Sequence, residues 1–183
     1  MFSIHATKKL LDRVKQPVMP PVPEPTTALG NWYATALFWK PQAALLVNER
    51  TLLPVLMPLA PAATLMARFP EALRVTLGAH RMPNDFIDSE IAAMTDGRYA
   101  KTASRSVLGI MNEFTRLAGF RRDYWGITDL VTLAIELSET PCGPLYERHV
   151  SPDRELDALM AVWADGRPGT SASNGSRPAR LEW

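Results

Sequence analysis

The stretch QAALLVNERTLLPVLM, residues 42–57, contains two apolar runs on either side of a short polar connection. The runs, residues 42–47 and 51–57, have the length and the Leu and Val content of strands, and residues 48–50 form a loop of hairpin length. Pro54 cannot donate a hydrogen bond to a neighbouring strand, so its strand should lie at the edge of a sheet. The stretch therefore predicts an antiparallel hairpin that ends at a sheet edge.

The segments on both sides of this hairpin are mostly helical in pattern. Residues 2–7 alternate between apolar and polar side chains, which predicts a half-buried strand, and residues 98–100 suit a further short strand. Elsewhere apolar residues recur at helical spacing. The predicted helices contain Leu10 to Val14, Leu29 to Leu37, Pro61 to Leu77, Asn84 to Met94, Val107 to Ala118, Thr128 to the residue before Pro141, and Ser151 to Trp163. The sequence thus predicts an α+β fold, with a small, mainly antiparallel sheet packed against several helices.

Composition predicts one domain followed by a tail. Residues 1–164 contain the periodic segments and are long enough for a single domain. Within them, residues 17–25 (PVMPPVPEP) are proline-rich and predict an extended connection. Residues 165–183 offer little apolar area and are predicted to be disordered.

The overall charge excludes a general attraction to polyanions. The 20 Lys and Arg residues nearly balance the 19 Asp and Glu residues, for a formal net charge of +1, so binding to nucleic acid would have to be local. The longest apolar run is interrupted by prolines and is too short to cross a bilayer, so no membrane partner is predicted. Cys142 is the only cysteine, which excludes an intrachain disulfide and fits a reducing compartment. We expect a cytoplasmic protein.

Four motifs link the chain to a known family. They are FSIHATKKLLDR, NWYA, LLVNERTLLPVLMPL and KTASRSVLGIMNEF. On these motifs the chain resembles an uncharacterised bacterial family, classified as a domain of unknown function, over most of residues 1–160. The resemblance implies kinship and brings no activity, substrate or catalytic residue with it.

Two helix starts carry positive charge, where the helix dipole favours negative charge. They are the first turn after Thr7 and the start of KTASRSVLGIMNEF, residues 101–114. Cations at a helix N-terminus become favourable when an anion binds there, because free N–H groups and hydroxyls then converge on it. The candidate anion-binding residues are Lys8, Lys9, Lys101, Thr102, Ser104, Arg105 and Ser106. The alternative is that Ser104 or Ser106 simply caps its helix.

Other chemistry has less support in the sequence. The three histidines, His5, His80 and His149, lack the spacing of metal ligands, so neither a metal nor a cofactor is predicted. Cys142 and His149 could form a nucleophilic pair, but the glycine and prolines around Cys142 favour a turn with an inert buried thiol.

Three classes of function remain open. The first is an accessory protein that binds a phosphate-containing ligand or nucleic acid, and the second is a protein-interaction or regulatory module. The third is an enzyme without a recognisable motif, whose cleft the pairs Asn48-Glu49 and Asn112-Glu113 could line. The lack of any catalytic motif favours the first two classes.

Overall fold

A five-stranded mixed sheet forms the centre of the protein. The computed structural model describes residues 1–166. The strands are β1 (Phe2–Ala6), β2 (Trp32–Leu37), β3 (Ala43–Asn48), β4 (Pro54–Pro58) and β5 (Gly97–Lys101). Their order across the sheet is β4-β3-β2-β1-β5, so the N-terminal strand lies between two strands that come later in the chain.

The sheet has an antiparallel half and a parallel half. β2 pairs with β3, and β3 with β4, in antiparallel ladders, whereas β1 is parallel to both β2 and β5. The antiparallel ladders include more of the paired residues. The predicted α+β fold with a mostly antiparallel sheet is confirmed, and the hairpin of residues 42–57 is β3 and β4. Pro54 begins the edge strand β4, as its missing N–H requires.

Within residues 1–166, six α-helices cover the two faces of the sheet. They are α1 (Lys8–Val14), α2 (Leu65–Ala79), α3 (Asn84–Ala93), α4 (Arg105–Trp125), α5 (Leu130–Ser138) and α6 (Pro152–Asp165). One hydrophobic core joins the sheet to α1, α2, α3 and α6. A second core joins the opposite face to α4 and α5. α1 and α4 therefore lie on opposite sides of the sheet.

The helix predicted over Leu29 to Leu37 is wrong, because residues 32–37 form strand β2. Every residue of β2 is buried. Trp32 and Ala34 contribute to one core, whereas Tyr33 and Leu37 contribute to the other. A strand that is apolar on both faces loses its alternating pattern, and its large side chains then fall by chance at helical spacing.

The proline-rich connection passes beside β5. Residues 17–25 contain no helix or strand, and their one ladder contact is an isolated bridge between Val18 and Tyr99. α6 ends at Asp165, one residue beyond the predicted domain boundary, and the predicted tail beyond Gly166 lies outside the described residues. Within residues 1–166, none of the helices has both the length and the apolar character needed to cross a membrane.

Candidate anion-binding site

The two basic helix starts lie at the same edge of the sheet. β1 and β5 are parallel neighbours, and Ala6 is in register with Lys101, so α1 and α4 both begin at the carboxyl end of this strand pair. The two helices then cover opposite faces of the sheet. Such a change of direction between adjacent parallel strands opens a crevice beyond their carboxyl ends, where α/β proteins bind ligands.

A cavity of about 380 Å³ lies beside this crevice. His5, Lys101 and Thr102 line it on the side of the sheet, and residues 18–21 of the proline-rich connection line it on the other side. The predicted residues Lys101 and Thr102 therefore border a concave surface.

His5 is a part of this edge that the sequence analysis missed. Its ring is buried and stacks on the ring of Tyr33, with centroids 4.6 Å apart. Nδ1 lies 2.8 Å from the carbonyl oxygen of Lys101; a carbonyl only accepts, so Nδ1 carries the hydrogen. Nε2 is then the remaining polar atom of the ring. No signal in the sequence could pair His5 with a residue 96 positions away.

The start of α4 is already capped within the protein. Ser104 Oγ accepts a hydrogen bond from the backbone N–H of Val107 at 3.3 Å, and the N–H of Ser104 donates to the Tyr33 hydroxyl at 3.0 Å. Burial raises the pKa of Tyr33, although the Ser104 N–H acts in the opposite direction. The capping alternative is correct for Ser104. Its hydroxyl hydrogen can still donate to a ligand, as can the first-turn N–H groups of Arg105 and Ser106.

The positive charges at this edge differ in how they are compensated. Lys8 pairs with Asp12 in its own helix at 2.8 Å, with both side chains exposed. Within residues 1–166, no carboxylate lies within salt-bridge distance of Lys9, Lys101 or Arg105. Exposed cations at a helix start with no acidic partner leave a locally positive edge, which favours an anion.

Cys142 and His149 do not form the nucleophilic pair considered from the sequence, and Asn48 does not line a cleft. Cys142 is buried, its thiol donates to the carbonyl of Thr140, and burial together with Glu113 raises its pKa to about 11. A thiol with this pKa is not a nucleophile at neutral pH. His149 instead bonds to Glu155. Asn48 is fully buried, with its amide bonded to the backbone around it, so it does not line a cleft.

Comparison with known proteins identifies the family of the chain but no individual protein that is similar to it. No curated protein and no solved structure matches the chain significantly. A family model described as a domain of unknown function, DUF6933, matches residues 3–155. That match includes β2 to β5, all of β1 except Phe2, and all of α1 to α5. The chain belongs to this family, DUF6933.

Proposed function

We propose that the protein is a bacterial, cytoplasmic accessory protein that binds a phosphate-like oxyanion, free or within a nucleotide or nucleic acid, at the carboxyl edge of β1 and β5. The observation that carries the proposal is the divergence of α1 and α4 from these adjacent parallel strands. It brings two sequence-remote basic segments to one edge, at the position where such sheets bind ligands.

The side chains at this edge suit an oxyanion. Arg105 offers a planar, two-pronged donor and Lys101 a point charge, while Thr102 and Ser106 offer hydroxyls. α4 is a helix of 21 residues, and its N-terminus carries roughly half a positive charge.

A titration with substituted proteins tests this proposal. Phosphate, nucleotides and short oligonucleotides are added at low ionic strength, and binding is followed by calorimetry. Arg105→Ala should weaken binding by about 10- to 150-fold, because a charge-assisted hydrogen bond contributes about 1.5–3 kcal/mol. Arg105→Lys should recover part of the affinity through charge alone.

Arg116→Ala is the matched control, since Arg116 is exposed on the same helix but eleven residues beyond Arg105. It should bind like the wild type. Equal affinity of the Arg105→Ala and Arg116→Ala proteins, or no binding by the wild type, would leave α4 as a capped helix and no more.

A protein-interaction module is the second candidate function, and one observation favours it. Phe120, Tyr124 and Trp125 are exposed at the end of α4, and the ring of Phe120 contacts the rings of the other two. Exposed aromatic clusters are typical of binding surfaces.

A further inference from the structure

A second cavity lies at the opposite end of the sheet, beyond the start of β2. Its volume is about 390 Å³, enough for a small organic ligand. The turn between β3 and β4 contributes Arg50, and the segment before α6 contributes Arg148 and His149. α6 closes the cavity with an apolar wall that includes Leu159 and Trp163.

Glu155 organises the polar side of this cavity. It is 3% exposed, and a carboxylate is seldom buried without partners. One of its oxygens accepts a hydrogen bond from the guanidinium of Arg148, and the other lies 2.9 Å from Nδ1 of His149. Both oxygens are thus occupied within the protein. The carboxylate holds two flexible side chains in fixed positions at the cavity.

This contact also fixes the chemistry of the imidazole. A carboxylate oxygen accepts hydrogen bonds, so Nδ1 of His149 carries the hydrogen and Nε2 of the neutral ring carries a lone pair. The side chain of His149 is half exposed, so Nε2 can accept a hydrogen bond from a ligand hydroxyl or N–H group. A hydrogen bond of the same kind, from a ring N–H to a carboxylate, orients the histidine in the carboxylate–histidine pairs of enzymes.

The two arginines are held by the backbone and keep spare donors. Arg148 donates one N–H to the carbonyl of Arg50 at 3.3 Å, and Arg50 donates one to the carbonyl of Ala28 at 2.8 Å. A guanidinium has five N–H donors, so each arginine has several left for a ligand. Glu90, an acid close enough to Arg50 to feel its charge, accepts hydrogen bonds from the N–H groups of Ala28 and Leu29.

Both loops that supply these side chains contain an unusual backbone conformation. Leu52, two residues after Arg50, has φ of 59°, and Val150, next to His149, has φ of 74°. Left-handed conformations are uncommon outside glycine and are outliers for a β-branched residue such as valine. Two backbone hydrogen bonds hold this strained residue in place. The N–H of Val150 donates to the carbonyl of Leu145, and the carbonyl of Val150 accepts from the N–H of Cys142. Such strain concentrates at binding sites.

We propose that this cavity binds an organic oxyanion, a carboxylate or phosphate monoester attached to an apolar body. Arg50 and Arg148 bind the oxyanion. Leu159 and Trp163 contact the apolar body, and the Trp163 ring is itself fixed by an edge-on contact with Phe86 at 5.0 Å. Nε2 of His149 accepts a hydrogen bond from a hydroxyl of the ligand. The site is independent of the proposed function at the other end of the sheet.

Two probe pairs test the ligand class by NMR titration of the whole chain. Phenyl phosphate and phenylacetate each carry an apolar ring, the first on a phosphate monoester and the second on a carboxylate. Their relative affinities therefore show which of these two oxyanions the cavity prefers. Inorganic phosphate lacks the ring and should bind at least about tenfold more weakly than phenyl phosphate, because burial of an aromatic ring is lost. Binding of the aromatic probes should shift the indole signal of Trp163 and leave that of Trp125, which is outside the cavity, unchanged.

Substitutions then test the roles of the residues. Arg50→Gln should weaken binding of the better aromatic probe about tenfold, whereas Arg154→Gln, an exposed change on α6 outside the cavity, should not. Wild-type protein should prefer 3-phenyllactate to 3-phenylpropionate through its extra hydroxyl, and His149→Phe should abolish that preference. Circular dichroism verifies that each variant is folded.

The results that would overturn the proposal are equally specific. They are no binding of either aromatic probe at millimolar concentration, shifts at Trp125 without shifts at Trp163, or equal affinities of wild type and Arg50→Gln. A preference for 3-phenyllactate that survives in His149→Phe would remove His149 from the site.

Discussion

Replacement of Asn48 by alanine should be among the most destabilising changes in this protein, although it removes a polar side chain. Asn48 is the last residue of β3 and is fully buried. Its side chain connects the β3–β4 turn to the segment that leads into β2. Its side chain makes five hydrogen bonds. Nδ2 donates to the carbonyls of Leu29 (2.9 Å) and Asn31 (3.2 Å), and Oδ1 accepts from Arg50 N (3.0 Å), Thr51 N (2.9 Å) and Thr51 Oγ1 (3.0 Å).

The magnitude follows from the groups that lose their partner. Alanine leaves five polar groups without these bonds, and each net hydrogen bond contributes about 0.5–1.5 kcal/mol. Arg50 lies at the exposed turn, where water can replace part of the loss. We expect Asn48→Ala to lower the free energy of unfolding by about 3–5 kcal/mol, a large part of the 5–15 kcal/mol typical of a domain.

Urea denaturation followed by circular dichroism measures this effect. Asn112→Ala is the matched control, because Asn112 is exposed on α4, and it should change stability by less than about 0.5 kcal/mol. Asn48→Asp keeps one acceptor oxygen but replaces the Nδ2 donor by a second oxygen, which the carbonyls of Leu29 and Asn31 repel. This substitution should therefore also destabilise the protein at neutral pH. A loss below about 1 kcal/mol for Asn48→Ala, with an unchanged denaturant slope, would refute the reasoning.

Four further substitutions test the packing and the ionisation of the core. Phe114→Ala or Met111→Ala should lower the free energy of unfolding by about 2–5 kcal/mol, because both side chains are buried between α4 and the sheet; wild-type denaturation midpoints would contradict this. Gly97→Ala should cost about 1–3 kcal/mol, since a Cβ there would lie 2.3 Å from Met66 Sδ and 2.9 Å from Phe2 Cζ. Burial raises the pKa of Tyr99 from 10.0 to about 12, so the unfolded chain ionises first. The resulting stability, up to about 2–3 kcal/mol, should be intact below pH 10 and lost as pH rises towards 12. Denaturation of Tyr99→Phe should lack this part of the pH dependence and keep the part that comes from the raised pKa of Tyr33.

The sequence predicted those elements that carry a local signal, such as a one-sided apolar stripe, a short polar turn between two apolar runs, or a proline. α4 is exposed on one side, so its apolar stripe was visible, and Pro54 marked an edge strand by its missing donor. β2 is buried on both faces, and therefore its sequence carried no alternation that could separate strand from helix. The parallel pairing of β1 with β2 and β5 had no local signal either, because it depends on how the intervening helices cross the sheet.

Of the two candidate sites, one has a local signal in the sequence and the other has none. The charges at the starts of α1 and α4 were recognisable because a local rule of helix electrostatics is broken there. Their common location became visible only in the sheet order. In the second cavity, Arg50 and Arg148 are 98 positions apart, and the contact of His149 with Glu155 looks in the sequence like an ordinary loop followed by a capped helix. Such sites are assembled by tertiary contacts, which no short motif encodes.

The central place of β1 has a consequence for the protein during its synthesis. β1 is made first, and β2, β3 and β4 can add to one of its sides as they leave the ribosome, but its other side pairs with β5, which is complete only at Lys101. At roughly 5–20 residues per second, that side stays open for about 5–20 seconds in the nascent chain. An unpaired apolar strand edge is prone to join another chain. We therefore expect the nascent chain to be most prone to misassembly in the period before β5 emerges.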